Sequence, residues 1–505
     1  SYAVSANTSA SGATDTAGSA RSWVWPGLLV GLALAAGALG TTAGPLRDVD
    51  VFWHVRLGNE LLGGVSIYDV GRDWSYAPID QPWVSTQWMI EILFSWLNTL
   101  FGWAGLVGYR AVTTAAALGT LVWTCFPRAK AVPTRTWSAL VAFGLAVFTL
   151  LIFSQERPQQ ISFILLPLVG LWWLLAVRDG VAPRWWAMLV LAAIWSNCHG
   201  AWIMLPVALF LAVVGRWMNN GKSDPALRPL IYAFLAAIAG GSLTPIGPLN
   251  LLSPIRFAAT TDQITEWEPT HMLALTSMGL TISGVLLAIT WARGRSRPSR
   301  AEVLYAILIL LFGSSAARNV TPAVLMLAPL VAWRLGTAFA GPRLAPAPKE
   351  LRNVAKPAVA IVVVVGLFMT GFLVATTPIV TTETKPLDLV ARIAAAPTPQ
   401  RVLNGYDVSG LVLYYARPAV SRSLVQVGID GRADRYGSAY INRYLDMERG
   451  RPGWEDTVAE LKPTVALLPE RDALIPLLKS RGWQVNGEQT KHVLLTPPGA
   501  PQMPK

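Results

Sequence analysis

Two carboxylates and an imidazole lie close together near the start of the chain, in the run Asp48-Val-Asp50-Val-Phe-Trp-His54. Asp48 and Asp50 cannot share one face of a helix, but they can converge on one ligand from an extended turn. Asp50 and His54 are four residues apart, so a helix that begins near Asp50 brings them to one face. A carboxylate beside an imidazole suits a general base that deprotonates a hydroxyl group. The alternative is a solvated loop in which Asp50 caps the helix.

The same three side chains, Asp48, Asp50 and His54, could also bind a divalent cation such as Mg²⁺ or Mn²⁺. Two carboxylates and one imidazole form an incomplete coordination shell, so the sequence leaves metal dependence open and predicts no certain cofactor. Cys125 and Cys198 are expected at opposite ends of membrane helices, which predicts no disulfide, and their spacing gives no zinc pattern.

Other polar residues lie between apolar stretches, on what we predict to be the same side of a membrane. Arg157 and Arg318 are the candidate phosphate ligands, because a guanidinium fork matches phosphate oxygens, although an arginine at a helix end can also snorkel. His199 is a weaker candidate for the same role, since a single histidine is more often a packed side chain. The candidate substrate-binding residues are Trp53, Gln87, Glu91, Gln159, Asn197, Glu266 and Asn319.

The elements that must position these residues are apolar. The chain has 505 residues, of which 53% are hydrophobic and 14% charged, whereas soluble proteins carry roughly 25% charged residues. We predict an α-helical polytopic membrane protein with about 11 transmembrane helices in residues 23–377, preceded by a disordered cytoplasmic segment, 1–22. The helices are expected near 23–43, 104–126, 137–154, 160–177, 185–198, 202–215, 229–246, 275–292, 302–317, 320–338 and 356–377.

The charged residues between these stretches predict the orientation. Loops rich in arginine, such as Arg293 to Arg300, should stay in the cytoplasm. The N-terminus is then cytoplasmic and residues 378–505 lie outside, in a bacterial inner (plasma) membrane protein. A net charge of +12 would suggest nucleic acid in a soluble chain. Here the orientation explains the charge, so we expect the lipid bilayer and no nucleic acid as a partner.

Two external regions are predicted. Residues 44–103 form a long first loop, in which Val51–Leu62 and Ser85–Trp103 are amphipathic and look like interfacial helices, or equally like ordinary loop helices. Residues 378–505 form an extracytoplasmic α/β domain with a parallel or mixed sheet. Its strands are expected at 400–404, 411–415, 464–468 and 491–495, and its helices at 386–396, 435–448, 454–461 and 471–481.

The order of these motifs resembles the GT-C superfamily of membrane glycosyltransferases, and most closely a bacterial family of polytopic proteins with an external C-terminal domain. The GT-C carboxylate motif is variable, so the resemblance does not choose between Asp48 and Asp50. The segment Asp430-Gly431-Arg432 could be a strand-end turn with a local ion pair, or an element that binds the acceptor. The matching residues are Asp48, Asp50, Trp53-His54, Gly58, Gln87-Trp88, Glu91, Arg157-Pro158-Gln159, Asn197, His199-Gly200, Glu266-Trp267, Arg318-Asn319, Asn404-Gly405-Tyr406, Asp430-Gly431-Arg432, Asp434 and Tyr436.

The resemblance implies inverting transfer of a sugar from a polyprenyl-phosphate donor to an envelope glycan, glycolipid or protein acceptor on the outer face. Asp50, or else Asp48, would be the general base, and cationic groups would stabilise the departing phosphate. The absence of a phosphate-binding glycine loop from the sequence disfavours a nucleotide donor. The alternatives are a lipid or polysaccharide transporter or flippase, in which repeated halves are common, a membrane acyltransferase, and a non-catalytic GT-C-like scaffold.

Overall fold

The structure is a computed structural model of the 505-residue chain, and it is mostly helical. It describes residues 32–34, 36–37, 40, 46–79, 81–126, 135–253, 268–339, 349–376, 378–416 and 425–504.

The helices that precede the C-terminal domain are joined by connections of very different length, from the single residue Gly102 to the long segment between Leu62 and Trp88. Short 3₁₀ turns, Gly200–Ile203 and Ala317–Asn319 among them, lead into some of these helices. In chain order the helices are α1 (Val51–Leu62), α2 (Trp88–Phe101), α3 (Trp103–Cys125), α4 (Thr136–Phe153), α5 (Gln159–Asp179), α6 (Trp185–Ser196), α7 (Met204–Asn220), α8 (Leu227–Gly241), α9 (Met278–Arg293), α10 (Arg300–Ser315), α11 (Val320–Ala338) and α12 (Lys349–Thr376).

Within the described part of the chain, six helical segments are long and apolar enough to cross a membrane. A bilayer core about 30 Å thick needs roughly 20 apolar residues in a helix, and each of these segments has between 18 and 23 residues. The segments are Trp103–Cys125, Thr136–Phe153, Gln159–Asp179, Gly200–Asn220, Leu275–Arg293 and Ala317–Ala338.

The prediction of about 11 spanning helices is therefore wrong. The runs near 185–198, 229–246 and 302–317 form helices, but α6, α8 and α10 have only 12, 15 and 16 residues. At a rise of about 1.5 Å per residue, α6 reaches roughly 18 Å, which is too short to cross the hydrocarbon layer alone. Helix α12 runs from Lys349 to Thr376 and is not part of the count of six, and most of the predicted span 23–43 lies outside the described residues. An apolar stretch indicates that its residues are buried, and in this protein packing against other helices accounts for part of that burial.

Helix α11 forms the centre of the bundle, since 89% of its apolar window is buried. Helix α5 approaches it closely at Gly170, where an added Cβ would lie 2.3 Å from the carbonyl oxygen of Met326. Tyr305 of α10 stacks on Trp173 of α5, with 3.8 Å between ring centroids, and its hydroxyl donates to the same carbonyl at 3.0 Å. This hydrogen bond satisfies a polar group in an apolar interior, where an unpaired one is costly.

Helices α1 and α2 pack against each other. An added Cβ on Gly58 of α1 would lie 2.0 Å from the backbone oxygen of Glu91 in α2. Residues 51–58 of α1 are all buried in protein, which favours the ordinary loop helix of the two predicted alternatives. Helix α2 keeps an apolar face exposed, at Trp96, Leu100 and Phe101.

The C-terminal region carries a mixed five-stranded sheet in the order β2-β1-β3-β5-β4. Strand β1 pairs in parallel with β2 and β3, and β5 pairs antiparallel with β3 and β4. The strands are β1 (Gln400–Asn404), β2 (Val425–Val427), β3 (Val465–Pro469), β4 (Gln484–Gln489) and β5 (His492–Thr496); the helices are α13 (Leu387–Ala394), α14 (Ser409–Tyr415), α15 (Ala433–Glu448), α16 (Trp454–Leu461) and α17 (Leu474–Ser480).

The strand predicted at 411–415 is wrong, because these residues belong to helix α14. A short continuous apolar run fits a buried helix as well as a buried strand. Packing decides here: Gly410 brings α14 onto α1, where an added Cβ would lie 2.9 Å from the backbone oxygen of Val49. Strands β2 and β4 were not predicted, since β2 has only three residues and β4 is polar.

The segment between α1 and α2, part of the predicted first external loop, is attached to the edge of this sheet. Ser75 forms a parallel β-bridge with Val427 of β2. The amide of Val427 donates to the carbonyl of Trp74 at 2.9 Å, and the amide of Tyr76 donates to the carbonyl of Val427 at 3.2 Å. The loop therefore covers an edge strand that would otherwise expose unpaired backbone groups, and it fixes the C-terminal domain beside α1 and α2.

The close contact of α1 with α2 gives a stability test. Gly58→Ala should lower stability by about 1–3 kcal/mol, because its Cβ would overlap rigid backbone. Gly108→Ala is the control: it also adds a methyl group inside a helix, but nothing lies within 4 Å. The thermal unfolding midpoint of the detergent-solubilised protein measures both. Equal midpoints for the two variants would contradict the packing.

Candidate active site

A buried glutamate holds the loop that carries the two aspartates. Glu156 accepts hydrogen bonds from the backbone amides of Arg47, at 3.0 Å, and Asp48, at 3.2 Å. Its other oxygen pairs with Arg110 of α3, and both side chains are completely buried. Because removal of either partner would leave an uncompensated charge, Glu156 ties the start of the loop firmly to the helix bundle.

The next residue, Arg157, brings the two carboxylates together. Its Nε donates to Asp48 Oδ1 at 2.7 Å and its Nη2 donates to Asp50 Oδ2 at 3.1 Å. The predicted convergence on one ligand from an extended turn is therefore present, with a guanidinium as the shared partner. Asp50 directly precedes α1, but its side chain is directed to Arg157 instead of capping the helix. The backbone of Arg157 is itself held, since Tyr109 donates to its carbonyl at 3.2 Å.

The two aspartates differ in their access to solvent. Asp48 is 2% exposed, and burial raises the pKa of its carboxyl group above the ordinary value, against the opposing effect of Arg157. The side chain of Asp50 is 15% exposed and lines a cavity of about 280 Å³. Only Asp50 of the pair belongs to the lining of that cavity.

His54 lies one turn beyond Asp50 on α1 and lines the same cavity. Its Nδ1 is 3.1 Å from Glu91 Oε1, and the other oxygen of Glu91 accepts from Ser85 at 2.6 Å. The ring of Trp53 packs on the imidazole, with 3.6 Å between centroids. Glu91 therefore orients the imidazole, in the way that a carboxylate fixes the position of a catalytic histidine.

Two further residues reach the cavity from distant parts of the bundle. Arg318 lies on the 3₁₀ turn that leads into α11, and His199 follows α6. His199 Nδ1 lies 2.8 Å from Ser162 Oγ and accepts from the amide of Ala201. Burial, together with Arg318 and Arg157, lowers the pKa of His199 to about 3. Without a bound anion His199 is therefore neutral at physiological pH and can donate a hydrogen bond from its other ring nitrogen; its contact with a phosphate stays a prediction.

The C-terminal domain closes the cavity from the other side. Gly431 lies against the carboxylate loop: a Cβ there would be 2.4 Å from both Asp50 Oδ1 and Trp53 Nε1. The adjacent Arg432 is 1% exposed and forms the predicted local ion pair with Asp430, at 2.7 Å. Its guanidinium also lies over the ring of Trp74 in the first external loop, 4.7 Å from the centroid. The predicted turn with a local ion pair is therefore present, and the same segment packs on Trp74; its role in acceptor binding stays a prediction.

Asp434 adds a second carboxyl group to the wall. Its Oδ1 accepts from Trp83 Nε1 of the first external loop at 3.0 Å, and both residues line the cavity. Burial raises the pKa of Asp434 to about 6. Asp434, Tyr406 and Gly431 follow the carboxyl ends of the neighbouring parallel strands β1 and β2, where α/β sheets generally bind ligands. Because β2 was not predicted, these residues could not be placed at the ends of two neighbouring parallel strands from the sequence.

The cavity brings together much of the predicted site. It also includes residues that were not predicted as site residues: Trp83, Thr86, Tyr406, Gly431, Arg432 and Asp434. The predicted residues that line it are Asp50, Trp53, His54, Gln87, Arg157, Gln159, His199 and Arg318.

Several predicted substrate-binding residues do not line the cavity. Glu91 is completely buried and contacts His54. Asn197 accepts from Trp88 at 2.6 Å and donates to the carbonyls of Ala193 and Leu243, both at 2.8 Å, so it joins helices. Asn319 donates to Ser315 and lies outside the cavity lining. Glu266 lies outside the described residues.

The metal interpretation finds little support in the geometry. One oxygen of Asp48 and one of Asp50 are directed at Arg157, and Nδ1 of His54 is directed at Glu91. In the part of the chain that the structure describes, no group of three histidine, cysteine, aspartate or glutamate side chains is arranged to hold a metal ion. Asp48, Asp50 and His54 therefore do not form a three-ligand set here, and we derive no chemical step through a metal.

Comparison with solved structures gives distant matches. The chain aligns with a cryo-EM structure of the arabinofuranosyltransferase AftD from mycobacteria at a TM-score of 0.48 and 13% identity, over 94% of this chain and 40% of that chain. A mutant of the same enzyme gives 0.49 and 16%, over 94% and 41%. The chain thus spans about two fifths of the length of the structures it matches. No family model and no curated protein matches. These low values assign neither family nor activity, and the GT-C resemblance stays a prediction.

The raised pKa of Asp434 predicts a pH-dependent stability. The folded protein keeps this proton up to about pH 6, whereas an unfolded chain loses it near the ordinary carboxyl pKa of 3.8. The stabilising contribution of the protonated form is therefore lost as the pH rises through 6. Asp434→Asn keeps the oxygen that accepts from Trp83 and should raise the unfolding midpoint at pH 8 more than at pH 4.5. Asp446→Asn, at an exposed carboxylate, is the control. An equal change at both pH values would contradict the assignment.

Proposed function

We propose that the protein transfers a sugar from a polyprenyl-phosphate donor to a hydroxyl group of an envelope acceptor, in the manner of a GT-C glycosyltransferase. The observation that carries the proposal is the shared cavity: Asp50, Arg157 and Arg318 come from three separate parts of the chain and line one space. A carboxylate base and cations beside it are the groups that such a transfer needs.

Asp50 is the general base in this proposal. It lines the cavity, whereas Asp48 is buried and serves to position Arg157. A carboxylate that is paired with arginine is a weak base, because the nearby positive charge favours its ionised form. A donor phosphate that draws Arg157 away from Asp50 would strengthen Asp50 as a base, so donor binding and proton abstraction become coupled.

The leaving group is a phosphate that already carries negative charge, and it needs electrostatic stabilisation more than a proton. Arg318 and Arg157 provide positive charge, and neutral His199 provides a hydrogen-bond donor. Pre-oriented charges of this kind are often the largest single contribution to catalysis.

The bonds balance without a further reactant. Asp50 takes the proton of the acceptor hydroxyl, and the acceptor oxygen forms a bond to the anomeric carbon. The bond from that carbon to the phosphate oxygen breaks, and its electron pair leaves with the phosphate. Attack on the face opposite the leaving group inverts the configuration. His54, held by Glu91, orients the acceptor hydroxyl and is the second candidate for the base.

The base assignment is tested with purified protein in nanodiscs, a panel of polyprenyl-phosphate sugars and an envelope acceptor extract. Asp50→Asn should reduce the release of polyprenyl phosphate, followed by mass spectrometry, by about 10²–10⁴-fold, the usual effect of losing a general base. Asp446→Asn is the control, because this exposed carboxylate pairs only with Arg451 among the described contacts. Full activity of Asp50→Asn together with loss in His54→Gln would move the base to His54.

The same assay separates the alternatives. A flippase would move the lipid without releasing polyprenyl phosphate, and an acyltransferase would not consume these donors. A wild-type protein that releases no polyprenyl phosphate from any donor in the panel would contradict the proposal and favour a scaffold or a transporter.

The phosphate role of Arg318 gives a second test. Arg318→Gln should lower turnover by about 10²-fold, because a charge that stabilises the transition state is lost, and Arg318→Lys should recover part of it. Arg297→Gln, in the arginine-rich loop that precedes α10, is the control. Equal turnover of Arg318→Gln and wild type would remove Arg318 from the mechanism.

A further inference from the structure

A second cavity, of about 450 Å³, lies between the first external loop and the start of helix α15. Its polar lining includes Tyr68, Arg72, Ser75, Gln81 and Arg435. Trp83 lines this cavity and also the one that contains Asp50, so one residue borders both cavities.

Arg435 is the unusual residue of this lining. It is only 7% exposed, and its Nε has no hydrogen-bond partner among the described residues. Its Nη2 reaches the carbonyl of Arg72 at 3.5 Å, at the limit of a hydrogen bond. No described carboxylate lies within ion-pair distance of it, whereas the neighbouring Arg432 has Asp430 as its partner. A buried charge without a counterion is costly, and a bound anion would remove that cost.

The rest of the lining indicates what carries the anion. Hydroxyl, amide and indole side chains around a concave space favour a polar ligand with an apolar face, and a sugar ring has both. A guanidinium fork favours carboxylate or phosphate oxygens. Arg72 also lines the cavity; its side chain is 76% exposed and its Nη1 is 3.5 Å from Asp69 Oδ1, an exposed pair that is weak enough for Arg72 to contact a bound anion.

We propose that this second cavity binds an anionic saccharide unit, one that carries a carboxylate or a phosphate group, through Arg435. That this unit is part of the acceptor, held beside Trp83 while a neighbouring hydroxyl reaches Asp50, rests on the function proposed above. The binding itself does not depend on that function.

Isothermal titration calorimetry on the full-length protein in nanodiscs tests the proposal with four probes: glucuronate, glucose 6-phosphate, glucose and inorganic phosphate. Wild type should bind the two anionic sugars at least tenfold more tightly than glucose or inorganic phosphate. Arg435→Gln should lose that preference. Arg443→Gln, a change at an exposed arginine on the same helix that pairs with Glu460, should keep it.

Arg72→Gln is the second variant, chosen because an exposed side chain can change without loss of the fold, and it should weaken the anionic sugars severalfold. Wild-type protein that binds the anionic sugars but releases no polyprenyl phosphate in the transfer assay would contradict the proposed function and leave this site standing, so the two failures are distinguishable. Equal binding of anionic sugars by wild type and Arg435→Gln would overturn the proposal. Inorganic phosphate that binds as tightly as glucose 6-phosphate would leave an anion site without a saccharide and would also overturn it.

Discussion

The ion pairs formed by two consecutive residues, Glu156 and Arg157, are the constraint on which the site depends. Glu156 fixes the loop to α3 through Arg110, and Arg157 holds Asp48 and Asp50. All of these charges are at least partly buried, where each would be costly if its partner were absent. The loop conformation is therefore specified by electrostatics, and α1 starts in the position that brings His54 beside Asp50.

The cavity is complete only because the C-terminal domain contributes one wall, which has no side chain at Gly431, its point of closest approach. Gly431 lies so close to Asp50 and Trp53 that a methyl group would overlap both. Arg432, buried against Trp74, joins the same turn to the first external loop. Two distant regions of the chain therefore form one cavity. In the proposed function, the acceptor and the lipid-linked donor meet there, away from bulk water.

The sequence predicts the helical class, the helices of the bundle and the residues of the carboxylate loop, because hydrophobic period and local charge are properties of neighbouring residues. It fails where long-range packing decides. The predicted number of spanning helices is too high because α6, α8 and α10 are apolar but short. Residues 411–415 form a helix because this helix packs closely on the start of α1 at Gly410. The lowered pKa of His199 and the contacts of Glu91 and Asn197 also depend on partners that are distant in the sequence.

The proposed coupling of donor binding to base strength makes Arg157 the residue that changes partners during the reaction. A cryo-EM structure with a non-hydrolysable polyprenyl-phosphate sugar analogue would test this most directly. We expect the phosphate within hydrogen-bond distance of Arg157 and Arg318, and the contact between Arg157 Nη2 and Asp50, 3.1 Å here, lengthened or broken. A phosphate bound at the opposite end of the bundle, near Arg293 to Arg300, would contradict the account.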